Sequence, residues 1–101
     1  MQPRAFRLKL HDVIGSLGHE AVEVVNISRT GALLRAPSPA PIASEQELTL
    51  RLHHQNVELP VRVVRETAAP DAYLQWLIAV EFTSPAEALE QIKVLMSQGG
   101  A

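Results

Sequence analysis

The chain has 101 residues, of which 47% are apolar, 20% are charged and none is cysteine. These values predict one globular domain spanning residues 1–101 and argue against disorder, a fibrous repeat and a coiled coil. They also exclude disulfides, thiolate metal sites and cysteine nucleophiles, and a net charge of −2 with 4% aromatic residues gives no basis for binding DNA or RNA.

Charge is distributed unevenly along the chain. Residues 1–35 have a net charge of +2, whereas the remainder has a net charge of −4. A small anionic partner is therefore expected to meet the N-terminal third, although scattered solvated charges would produce the same count. No apolar run is long enough to cross a bilayer and the N-terminus does not resemble a signal peptide, so we expect no membrane insertion and a cytoplasmic location.

The N-terminal half predicts three strands. Residues 6–10 and 20–27 have strand-like composition, and the segment between them contains Gly15, Ser16 and Gly18, which predicts a loop. A short strand at 32–35 is expected to end before a proline-rich loop at 37–44.

The middle of the chain alternates between apolar and polar residues, the pattern of half-buried strands. It predicts strands at 45–53 and 56–66, joined by a turn at 53–56, and places Pro60 on an edge strand or at a bulge. A loop at 66–72 follows. The strongest strand is 73–82, which should be central to the core and should bury Trp76.

The C-terminus predicts the chain's single helix, at residues 84–98. Ser84, Pro85 and Glu87 form a capping box with proline at the first helical position, and apolar residues follow at helical spacing. Six short strands and one terminal helix predict a mainly β fold, a six-stranded antiparallel β-barrel with the helix laid over one opening, because closure removes exposed strand edges.

The segment from Asn26 to Gly31 is the first candidate binding site, because it places polar residues and a glycine between two apolar strands. Asn26 could hold an Asx turn, Ser28 could hydrogen-bond a ligand, and Gly31 permits a positive φ or a close backbone approach. Such a corner can receive an anion. The alternative is an ordinary polar connection between two strands.

Arg4 and Arg7 form a second candidate, within an N-terminal arm at residues 1–8. Guanidinium groups combine flat stacking with bidentate hydrogen bonds to phosphate or to a guanine edge, so two of them three residues apart could grip one ligand. The alternative is a frayed, solvated terminus.

These features together resemble the PilZ domain family: arginines before the first strand, the Asn26, Ser28 and Gly31 pattern, and the strand ending at Phe82 before an amphipathic helix. The resemblance covers almost the whole chain. It implies a receptor for the bacterial second messenger cyclic di-GMP, with no catalytic activity, in which Arg4 and Arg7 grip the nucleotide. Asn26, Ser28 and Gly31 would close on it from the barrel, and Arg29 would help to neutralise phosphate.

The arginine pattern departs from the family's Arg-x-x-x-Arg motif, because Pro3 stands where the first arginine of a motif ending at Arg7 would stand. This departure keeps an alternative open, namely a PilZ-like adaptor that binds a protein partner, or acts with an attached effector domain, without binding cyclic di-GMP. Neither hypothesis requires a cofactor.

The adjacent His53 and His54 would point to opposite faces of a strand, so we expect no metal site. The sequence also shows no nucleophile paired with a base, so we expect no enzymatic activity.

Overall fold

The computed structural model describes residues 13–52, 55–69 and 75–99. Within these ranges the chain forms six strands followed by one helix. In chain order they are β1 Ile14–Leu17, β2 Glu20–Ile27, β3 Gly31–Ala36, β4 Glu45–Leu52, β5 Gln55–Ala68, β6 Trp76–Phe82 and α1 Pro85–Gly99.

The strands close into a barrel in the order β1-β2-β3-β6-β5-β4, with every neighbouring pair antiparallel. The pairing of β1 with β4 completes the ring. Closure gives the backbone donors and acceptors of each strand a partner on both sides, which removes the exposed edges of an open sheet. The predicted six-stranded antiparallel barrel with one C-terminal helix is confirmed.

The core follows from the alternation of apolar residues along the strands. Every second residue of β5 from Val57 to Val63 is buried, as are Ile78, Val80 and Phe82 of β6. These side chains share one cluster with buried residues of the other strands and of α1. Trp76 is only half-buried and packs against this cluster, so the expectation that it lies in the core is too strong.

The first strand differs from the prediction. Residues 14–17 form β1, which pairs with both β2 and β4, and Gly18 and His19 form the turn into β2. Gly15 and Ser16 resemble loop residues, but both lie in β1, and Gly15 is buried so closely against β2 that an ideal Cβ would lie 3.0–3.3 Å from the side chains of Val22 and Val24. The loop expected here is therefore wrong, and the strand expected at 6–10 lies outside the described residues.

The hairpin between β4 and β5 is tighter than predicted, because Leu52 pairs with Gln55, which was expected in the turn and instead begins β5. Pro60 is neither on an edge nor at the bulge, since β5 pairs on both sides and its bulge comes later. Its carbonyl accepts from the N–H of Thr83 at 3.0 Å. The side of Pro60 that lacks an N–H thus faces the point where β6 has just ended, so the missing donor breaks no strand pairing.

Strand β5 extends to Ala68, so the loop predicted at 66–72 begins later than expected, whereas the loop at 37–44 is confirmed. Glu66 holds the loop at 37–44 in place, because its Oε2 accepts from the N–H of Ala40 at 2.9 Å.

Helix α1 begins as predicted, because the N–H of Ala88 donates to the carbonyl of Ser84 at 2.9 Å and makes Ser84 the N-cap. Within the described ranges, no helix is long and apolar enough to span a membrane.

Candidate functional site

Two β-bulges shape one outer face of the barrel. In β2 the register shifts between Val24 and Asn26, and in β5 it shifts between Val63 and Arg65. A bulge sets two residues opposite one residue of the partner strand, which interrupts the alternation of faces. At the β2 bulge, Val24 is buried and Val25 and Asn26 are half-buried, whereas at the β5 bulge Val63 is buried and Val64 and Arg65 are exposed. The β5 bulge therefore turns Arg65 outward, although alternation from Val63 would turn it inward.

The two bulges are connected by one row of paired residues along the wall of the barrel. Asn26 pairs with Leu33, Leu33 pairs with Ala79, and Ala79 pairs with Arg65. These four residues form one row across β2, β3, β6 and β5, which we call the outer row. Neighbouring strands lie about 4.8 Å apart, so the row spans about 14 Å from Asn26 to Arg65. A polar amide and a guanidinium thus border a half-buried apolar floor of Leu33 and Ala79.

The turn between β2 and β3 is held by Ser28. Its hydroxyl accepts from the N–H groups of Thr30 and Gly31 at 3.3 Å and donates to the carbonyl of Gly31 at 3.3 Å. The N–H of Ser28 donates to the same carbonyl at 2.8 Å. Asn26 instead lies within β2, so the Asx turn that the sequence suggested is not the arrangement observed. Ser28 therefore orders the backbone of the turn between β2 and β3.

Gly31 is required by a close approach of two backbones. An ideal Cβ at this position would lie 2.0 Å from the carbonyl oxygen of Val80. The φ of Gly31 is not positive; among the described glycines, only Gly18 has a positive φ, of 62°. Of the two reasons that the sequence suggested for this glycine, the close approach is correct. It brings the Ser28 turn against the end of β6, where the N–H of Phe82 donates to the carbonyl of Thr30 at 2.8 Å.

A pocket of about 270 Å³ lies over the outer row. Arg65 is the one charged residue among its described lining residues, so the pocket suits an anionic or electron-rich ligand. Its lining comprises Asn26, Ser28, Thr30, Gly31, Ala32, Leu33, Arg65, Ala79 and Val80.

A second pocket, of about 130 Å³, lies against the 37–44 loop and does not include these residues. The charged residue in its described lining is Glu20, an acid, so it is a poor site for an anion.

The structure brings together three of the predicted site residues, Asn26, Ser28 and Gly31, around the pocket over the outer row. Arg29 is exposed in the adjacent turn, and its contact with a ligand stays a prediction. Arg4 and Arg7 lie outside the described residues, as do His53 and His54.

Sequence reasoning missed Thr30, Leu33, Ala79 and Arg65. A signal for Arg65 was present, because the adjacent apolar residues Val63 and Val64 break the alternation of β5, as a bulge does.

Comparisons with known proteins agree with this architecture. The family model described as the PilZ domain matches residues 2–98. The crystal structure of an uncharacterized Legionella protein resembles this chain with a TM-score of 0.65 and 29% sequence identity, covering 95% of this chain and 99% of that one. None of the curated proteins matches. Because the match to the family model extends over nearly all of the 101 residues, the chain belongs to the PilZ domain family.

Proposed function

We propose that this domain is a cyclic di-GMP receptor that acts in bacterial second-messenger signalling in the cytoplasm and has no catalytic activity of its own. The observation that carries the proposal is that Asn26, Ser28 and Gly31, the family's barrel-side motif, line one pocket on the outer face. PilZ domains are binding and adaptor domains, which supports a receptor rather than an enzyme.

The chemistry of the pocket suits a purine nucleotide. Leu33 and Ala79 offer an apolar floor for the face of a base, and Asn26 and Thr30 offer an amide and an exposed hydroxyl to polar groups at its border. The backbone of the turn is already ordered by Ser28, so a ligand binding there would not have to order it.

The size of the pocket supports a role for the N-terminal arm. Pockets that bury a drug-sized ligand measure roughly 300–1,000 Å³, whereas this one measures about 270 Å³. A pocket at the lower limit of that range is expected to hold only one part of a cyclic dinucleotide. Arg4 and Arg7 would supply the remaining contacts by covering the nucleotide from the arm, in keeping with the positive charge of residues 1–35.

The second candidate function is that of an adaptor that binds a protein partner without the nucleotide. It is favoured by apolar surface beside the outer row, where Val64 is 41% exposed. The sequence departure at Pro3 points in the same direction. A partner docked there would cover the face on which the receptor hypothesis places the nucleotide, so the two functions predict different results for one titration.

Titration calorimetry of the whole chain with cyclic di-GMP distinguishes these functions. A receptor is expected to bind with an affinity that Arg7→Ala weakens by about 1.5–3 kcal/mol, the usual contribution of a hydrogen bond to a charged group. Arg51→Ala is the matched control, because Arg51 is an exposed cation on β4 that does not line the pocket.

The variant Pro3→Arg restores the motif spacing and is expected to tighten binding by about 1–3 kcal/mol. If neither the wild type nor Pro3→Arg binds at millimolar nucleotide, the receptor function is wrong and the adaptor function replaces it.

A further inference from the structure

We infer that Arg65 contacts the nucleotide and supplies the site with a guanidinium from the barrel itself. The inference rests on the proposed function and adds a residue that lies outside both of the family's motifs. It follows from three features of the structure: the bulge in β5, the pairing of Arg65 with Ala79 rather than with an acid among the described residues, and the position of Arg65 at the end of the outer row.

The bulge gives Arg65 its direction. Without the inserted residue, the alternation that buries Val57, Leu59, Val61 and Val63 would bury residue 65 as well. With it, Arg65 pairs with Ala79 and lines the pocket, and Glu66 takes the inward position opposite Ile78. A buried arginine would have to be paired or would destabilise the core, so the bulge also makes an arginine tolerable at this position.

The described residues around Arg65 leave its charge available to an anion. Its partner in β6 is Ala79, and the carboxylate of the neighbouring Glu66 is turned away, where it accepts from the N–H of Ala40 at 2.9 Å. Arg62, three residues earlier, is also exposed but lies between Glu81 of β6 and Glu45 of β4 in cross-strand register. Side chains in such register lie close together, so the two acids place more negative charge around Arg62 than Ala79 places around Arg65.

The position of Arg65 suits a ligand that spans the outer row. Asn26 and the Ser28 turn lie at one end of the row and Arg65 lies at the other, about 14 Å away across three strand spacings. A guanidinium can bind a phosphate bidentately, or pair with O6 and N7 of guanine. Arg65 thereby offers a further cationic contact, from the barrel, in a chain where Pro3 replaces the first arginine of the arm motif.

The test compares Arg65→Ala, Arg65→Lys and Arg62→Ala with the wild type by calorimetry with cyclic di-GMP. We expect Arg65→Ala to weaken binding about 10- to 100-fold, the effect of losing a hydrogen-bonded charged contact. Arg65→Lys should recover only part of this loss, because lysine keeps the charge but lacks the planar fork. Arg62→Ala should change the dissociation constant by no more than about twofold, as expected for an exposed charge away from the site.

Thermal melts of the same variants separate effects on binding from effects on folding. Arg62 and Arg65 are both exposed, so all three variants should melt like the wild type. If the wild type binds and Arg65→Ala binds equally well, Arg65 is not a ligand contact, although the receptor function stands. Equal losses in Arg65→Ala and Arg62→Ala would also overturn the inference, because they would indicate a general effect of surface charge. If the wild type itself does not bind, the receptor function fails and the inference fails with it.

Discussion

Replacing Gly31 with alanine is expected to destabilise the barrel, because the added methyl group has no space. An ideal Cβ at residue 31 would lie 2.0 Å from the carbonyl oxygen of Val80 and 3.1 Å from the Cα of Glu81, whereas real Cβ atoms essentially never approach closer than 3.0 Å. Both neighbours are backbone atoms of a paired strand and cannot rotate away as a side chain could. Strands β3 and β6 would have to separate locally by about 1 Å, which a close-packed interior resists.

The size of the effect follows from what such a separation disturbs. Overpacking costs about 1–3 kcal/mol. The hydrogen bond between Phe82 and Thr30, 2.8 Å long, lies beside the clash, and weakening it would cost a further 0.5–1.5 kcal/mol or so. We therefore expect Gly31→Ala to lower the free energy of unfolding by about 2–4 kcal/mol and the melting temperature by at least about 8 °C.

Urea denaturation followed by the fluorescence of the single tryptophan, Trp76, measures this loss. Gly18 is the control, because its φ of 62° makes the backbone conformation, rather than space, the obstacle to a side chain. Gly18→Ala should cost about 1–2 kcal/mol, and Gly18→Asn should cost less, because asparagine tolerates left-handed backbone. At residue 31, alanine, serine and asparagine should all be costly. A Gly31→Ala protein within about 0.5 kcal/mol of the wild type would refute the steric explanation.

Three further predictions concern the turn, the loop and the edge of the core. Ser28→Ala should lower the free energy of unfolding and weaken cyclic di-GMP binding by about 0.5–1.5 kcal/mol each, and calorimetry showing unchanged affinity would limit Ser28 to a structural role. Glu66→Ala should cost about 1.5–3 kcal/mol and speed amide hydrogen exchange at Ala40; unchanged exchange there would mean that the carboxylate does not hold the loop. Trp76→Ala should cost about 2–3 kcal/mol, less than the roughly 3–5 kcal/mol for a fully buried tryptophan; a wild-type melting curve would contradict its packing against the core.

Local patterns in the sequence predicted most of the fold. Period-two alternation identified β4, β5 and β6, because one face of each strand is buried and water selects polar residues for the other. The capping box identified the start of α1, because the pattern satisfies helix N–H groups within a single turn of chain. Both signals depend on interactions with near neighbours or on burial alone. Strand β1 was missed because its glycine is explained only by contacts with Val22 and Val24, which belong to the next strand.

For the candidate site, the sequence by itself determined the polar corner at Asn26, Ser28 and Gly31, because a turn between two strands is a local feature. The outer row was decided only by the tertiary structure. It depends on the pairing of four strands that are not all consecutive in the chain, and on two bulges that shift the register by one residue each. A one-residue shift reverses the face on which a side chain lies, so the alternation of β5 by itself would place Arg65 inside the barrel. The pairing of β2 with β3, of β3 with β6 and of β6 with β5 aligns the bulges and brings Arg65 to the same surface as Asn26.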